Sequence, residues 1–62
     1  MNGSNQYAEI SRGIIEYESG NMEPEEVVDF FQALIDTGLA WQLQGRYGRT
    51  AKALIESGEC HA

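Results

Sequence analysis

The chain has one cysteine, one histidine, one proline and one tryptophan among 62 residues, and only four basic side chains. A lone cysteine forms no internal disulfide. One cysteine and one histidine supply too few ligands for a structural metal cage, which takes about four. No metal is expected, and no cofactor is implied. No apolar run approaches the roughly 18 residues that span a bilayer. The N-terminus lacks the basic-then-apolar order of a secretory signal. The expected setting is a reducing cytosol, with no membrane partner.

Shortage of length has its own consequence. A chain of this size buries only about 60% of its unfolded surface. Below roughly 70–80 residues, folds usually draw support from disulfides, metals or association. With the first two excluded, self-association is expected, as a homodimer or larger.

What is abundant is acid. Ten acids against four bases give a formal charge of −6, unevenly placed. Residues 1–45 carry eight acids and one base, whereas residues 46–62 carry three bases and two acids. An acidic surface disfavours general binding to nucleic acid or anionic lipid.

The densest aliphatic run, which also holds both phenylalanines, lies in Glu25–Gly38 (EEVVDFFQALIDTG). Pro24 suits a first helical turn, where a missing N–H costs nothing. Glu25 and Glu26 follow at the positive end of the helix dipole. Gly38 sits where a left-handed cap belongs. At about 100° per residue, Val27, Val28, Phe30, Phe31, Leu34 and Ile35 fall within an arc of about 160°. A stripe that wide predicts a core helix facing two or more neighbours.

The rest of the chain is arranged around this helix. Tyr7, Ile10, Ile14 and Tyr17 recur at helical spacing, with Ala8 and Ile15 alongside, and predict a first helix over about 5–19. Ser4 or Asn5 is its expected cap. Arg12 is placed for weak pairing with Glu9 and Glu16. Gly13 costs helix stability of about 1 kcal/mol relative to alanine, so it is either tolerated or lets another helix approach closely. The short link that follows predicts an antiparallel hairpin with the helix over 24–37. Leu39–Gln44 points apolar residues nearly all around an axis and is read as a short helix. Gly45 and Gly48 bracket Arg46-Tyr47 as a turn. A last helix is expected over about 49–57, with Ala51, Leu54 and Ile55 inward and Glu59–Ala62 as a tail.

One segment echoes another: Ala33–Gly38 (ALIDTG) matches Ala53–Gly58 (ALIESG). Two copies do not make a solenoid. The shared content is a way of ending a helix: apolar pair, acid, hydroxyl, glycine.

Leu34–Cys60 (LIDTGLAWQLQGRYGRTAKALIESGEC) resembles a family of small uncharacterised proteins encoded by tailed bacteriophages. The most specific stretches are Thr37–Gly45 and Tyr47–Ala51, with weaker likeness over Ile14–Gln32. The resemblance implies viral origin and synthesis in a bacterial host cytoplasm. It implies no catalytic residue.

The basic stretch Gly45–Lys52 is the best candidate for contact with a partner. Arginines beside an aromatic ring pair with acids, grip phosphate or stack on bases. It lacks Walker spacing, and no strand precedes it as a dinucleotide fingerprint requires. Its plainer reading is a turn whose arginines neutralise the acidic body. Trp41 and Tyr47 are either an exposed anchor or core, since Trp, Tyr and Arg dominate interface hot spots. The candidate partner-binding residues are thus Trp41, Gln44, Arg46, Tyr47, Arg49 and Lys52.

Cys60-His61 is poorly suited to catalysis, because a nucleophile needs a base positioned by a fold. Glu9, Glu16, Glu26, Asp29 and Asp36 lie on solvated helix faces, which do not shift a carboxyl toward acid–base work.

The expectation is an all-α domain, a self-associating bundle of three to four short helices that is not an enzyme. Its expected function is that of a phage accessory protein that binds and modulates a host defence or transcription component. The alternatives are a nucleic-acid binder through Arg46, Arg49 and Lys52, a phosphate-backbone mimic, and a nucleotide-like ligand site between subunits at Trp41 and Tyr47.

Overall fold

The structure, a computed structural model, describes the backbone of residues 2–62 and the side chains of residues 10–62. It is all-α. Helix α1 spans Asn2–Glu18, α2 spans Pro24–Thr37, and α3 spans Gly45–Glu56. A single 3₁₀ turn, Leu39–Trp41, joins α2 to α3. The inward placement of Tyr7 and Ala8, the Ser4 or Asn5 cap and the Glu9–Arg12 pair fall outside the described side chains.

Helix α2 begins and ends as its chemistry dictates. Pro24 occupies the first turn. The Glu26 carboxylate accepts the Glu23 backbone N–H at 2.9 Å, which satisfies a donor that the helix itself leaves unpaired. Its apolar stripe forms the middle of the core. Phe31 and Leu34 are fully enclosed, and Phe30 and Ile35 are buried beside them. Val27 and Val28 pack at the margin.

Helix α1 lies antiparallel to α2. Gly13 of α1 faces the Phe30 ring, and an alanine methyl there would fall 2.6 Å and 2.8 Å from two of its carbons. The absent side chain at Gly13 is therefore the close-approach device and not a tolerated flaw. Ile10 is buried on the same face. Ile15 departs from expectation: it is 67% exposed. It neighbours the inward residues Ile14 and Tyr17 in sequence, but its position on the helix turns it to solvent.

All three α-helices end in an acid, a hydroxyl and a glycine: Glu18-Ser19-Gly20, Asp36-Thr37-Gly38 and Glu56-Ser57-Gly58. Each glycine is left-handed, with φ of 78°, 82° and 87°. Each hydroxyl donates to a carbonyl of its own last turn: Ser19 to Ile15, Thr37 to Ala33, Ser57 to Leu54. After α1 and α3 the chain closes in the paired-bond Schellman pattern. Asn21 N–H reaches Glu16 O while Gly20 reaches Tyr17 O. Glu59 N–H reaches Leu54 O while Gly58 reaches Ile55 O. The two-copy echo is thus a three-copy capping device.

Three expected boundaries move, the first being the start of α1, which lies at Asn2 and not near residue 5. The short helix foreseen over 39–44 contracts to one 3₁₀ turn that buries Ala40 and leaves Trp41 outside. Helix α3 starts at Gly45 and not at Arg49, so Arg46, Tyr47 and Gly48 are helical. Gly48 packs against the 3₁₀ turn, where a methyl on it would make ordinary contact with the Ala40 carbonyl at 3.5 Å and the Trp41 indole at 3.7 Å.

The C-terminus is docked. Cys60 is 4% exposed and belongs to the core, and its thiol donates to Val28 O at 3.5 Å. His61 is held through its backbone by the Gln32 side chain.

Candidate interaction surface around Trp41

The six candidate residues divide sharply by burial. Tyr47 is 3% exposed. Its ring stacks on Phe31, with centroids 5.9 Å apart, and lies 5.7 Å from the Tyr17 ring. It is a core residue, so its ring is unavailable to a partner. Arg46 is exposed, but its guanidinium forms an ion pair with Glu18. That leaves Trp41, Gln44, Arg49 and Lys52 with open side chains.

Glu18 is the residue that sequence reasoning missed. One of its oxygens accepts from both the Tyr47 hydroxyl and Arg46. Helix α1 ends with an acid and no base in its last turn, an arrangement the helix dipole disfavours. Arg46 and Tyr47 supply the missing positive and donor groups from α3. A terminal acid without a nearby base was the available signal. The Tyr47 hydrogen bond, followed by Arg46, holds the Glu18 carboxyl below its ordinary range. Burial, then the Glu18 contact, pushes the Tyr47 hydroxyl up to about 12. The Arg46 guanidinium is shifted up by its hydrogen bond to Glu18. Arg46 also lies 5.5 Å from the Tyr47 ring centroid, within reach of a cation–π contact. The group is a strut between α1 and α3: its carboxylate is already neutralised.

Trp41 is different. It is 53% exposed, yet its backbone is fixed. Its N–H donates to Gly38 O at 3.2 Å, and the following Gln42 and Leu43 N–H groups both return to Leu39 O. The indole rests against α3 at Gly48. Lys52 lies one turn beyond Gly48 on the same helix, and Arg49 lies on the adjoining stripe. Arg49 curls back toward Gly45, with one guanidinium nitrogen 3.2 Å from where a methyl on Gly45 would sit. A large exposed aromatic ring on a braced turn, with two exposed cations on the helix it packs against, suits contact with an acidic, partly apolar surface. Because Tyr47 is enclosed, the two rings do not line a common ligand pocket within one chain.

The chain also has an open groove of about 370 Å³ between α1 and α2, lined by Ile10, Arg12, Gly13, Glu16, Met22, Asp29, Phe30 and Ala33. It exists because Gly13 has no side chain above Phe30. The thiol of Cys60 is shifted up, first by burial and then by Glu59, Asp29 and Asp36, which keeps it protonated and unreactive. Among the described residues no group of three His, Cys, Asp or Glu is placed to hold a metal. Among them also, no helix is long and apolar enough to cross a membrane.

No curated protein and no solved structure matches the chain. A protein-family model described as a domain of unknown function, DUF7417, matches residues 5–62, and the chain belongs to that family.

Proposed function

We propose that this protein is a bacteriophage accessory protein that acts in the bacterial host cytoplasm by binding a host protein, and not by catalysis. The observation that carries the reading is Trp41: a rigidly mounted, half-exposed indole packed on α3 at Gly48, the helix that also exposes Arg49 and Lys52. Interface hot spots are rich in Trp and Arg, and covering the half-exposed indole with a partner would remove apolar surface from water. The resemblance of Leu34–Cys60 to small tailed-phage proteins supplies the viral setting, and Trp41 lies inside its most specific stretch. A host defence or transcription component presenting an acidic apolar surface fits this chemistry.

The test is retention of a host protein by the immobilised chain, followed by affinity measurement with that protein purified. The reading expects wild type to bind at least about tenfold more tightly than Trp41→Ala or Arg49→Ala. Equal affinity for all three chains would refute it. Direct nucleic-acid binding through Arg46, Arg49 and Lys52 is weakened as an alternative, since Arg46 is engaged by Glu18.

A further inference from the structure

We infer that the Trp41 knob of one copy docks in the α1–α2 groove of a second copy. The two surfaces lie on the same chain, share no residue, and are opposite in charge. The groove floor is apolar, formed by Gly13, Met22 and Phe30, and its rim carries Glu16 and Asp29 with Arg12. Neither acid has an ion-pair partner among the described residues. The volume of about 370 Å³ lies at the small end of the roughly 300–1,000 Å³ range of binding pockets. It is room for one large side chain, and the indole is the largest that this protein exposes.

The charges divide the same way along the chain. Residues 1–45 hold eight acids and one base, whereas residues 46–62 hold three bases and two acids. Two copies meeting α1–α2 to α1–α2 would set acid against acid. Two copies meeting knob to groove set Arg49 and Lys52 against Glu16 and Asp29. The second arrangement is the attractive one despite a net charge of −6 on each chain. Because knob and groove are distinct surfaces, the contact closes only if each copy gives its knob to the other, and otherwise runs head to tail. This inference concerns the purified chain alone and does not depend on a host partner.

Analytical ultracentrifugation of the purified full chain over a concentration series tests it. Wild type should rise above monomer mass with concentration, and the association should weaken with salt. Trp41→Ala, which removes the knob, and Glu16→Lys with Asp29→Lys, which reverses the rim, should each weaken association at least about tenfold. All these side chains are exposed, so circular dichroism should show the fold retained. Mixing the knobless and rim-reversed chains should restore a one-to-one pair, since one supplies the groove and the other the knob. Adding Arg49→Glu and Lys52→Glu to the rim-reversed chain should restore its self-association. A wild type that stays monomeric throughout, or association untouched by Trp41→Ala or by rim reversal, would overturn the inference.

Discussion

Gln32 pairs edge to edge with the backbone of His61. Its Nε2 donates to His61 O at 2.8 Å, and its Oε1 accepts the His61 N–H at 3.0 Å. The same Nε2 reaches Asp36 at 3.0 Å. A side-chain amide thus substitutes for a neighbouring strand and pins the C-terminus to α2, with Cys60 pressed into the core beneath it. Gln32→Ala removes both backbone bonds and should cost about 1–3 kcal/mol. Urea denaturation reads the loss, and carboxypeptidase should trim the variant faster than wild type.

Gly13→Ala sets two effects against each other. Alanine favours a helix by about 1 kcal/mol over glycine. Its methyl, however, would fall 2.6 Å from a Phe30 ring carbon, and overpacking of that kind costs about 1–3 kcal/mol. The ring is buried and hemmed in by Tyr17 and Phe31, so it has little room to yield. Steric strain should win, leaving a net loss in thermal stability. Phe30→Leu in the same chain should recover part of it.

The Glu18 strut makes stability depend on pH in a predictable direction. Its carboxyl is held below its ordinary value of 4.5 in the fold. The stabilisation is therefore present above that value and is lost as pH falls through the lower folded one. Glu18→Gln keeps the shape but does not titrate. The difference in melting temperature between wild type and Glu18→Gln should shrink on acidification below about 4. A constant difference would contradict the strut.

Tyr47 gives the converse at high pH. Its hydroxyl is raised from 10.0 to about 12, so its contribution is complete below 10 and lost as pH rises through about 12. Ultraviolet titration of the folded chain should show a late tyrosine step that is absent in Tyr47→Phe.

How far these features were legible varies by residue. Helix α2 was readable to its ends, because Pro24, Glu25 and Gly38 each act locally. The first turn of α3 was not. Gly45 and Gly48 look like turn residues, yet both are helical and Gly48 packs against Ala40 and Trp41, a tertiary contact that no local pattern records. Cys60 reads as a tail residue because nothing periodic surrounds it, and it is seated through Val28 and the neighbouring Gln32–His61 pairing, both remote in sequence. Arg46 and Tyr47 were singled out for chemistry, but Glu18 defines their role. The sequence leaves Trp41 open between core and surface, since the apolar residues of Leu39–Leu43 point to every side.

Trp41 is the chain's one tryptophan, so fluorescence excited at the red edge of the aromatic band, where tyrosine does not absorb, reports on it alone. Emission and quencher access, followed while concentration is raised or an isolated host partner is added, test the account at its centre. Emission at high dilution should be red-shifted and quenchable, and should turn blue and protected as contacts form. Blue, shielded emission at every dilution would make Trp41 a core residue. Red emission unchanged by concentration or partner would leave it without the contact assigned to it.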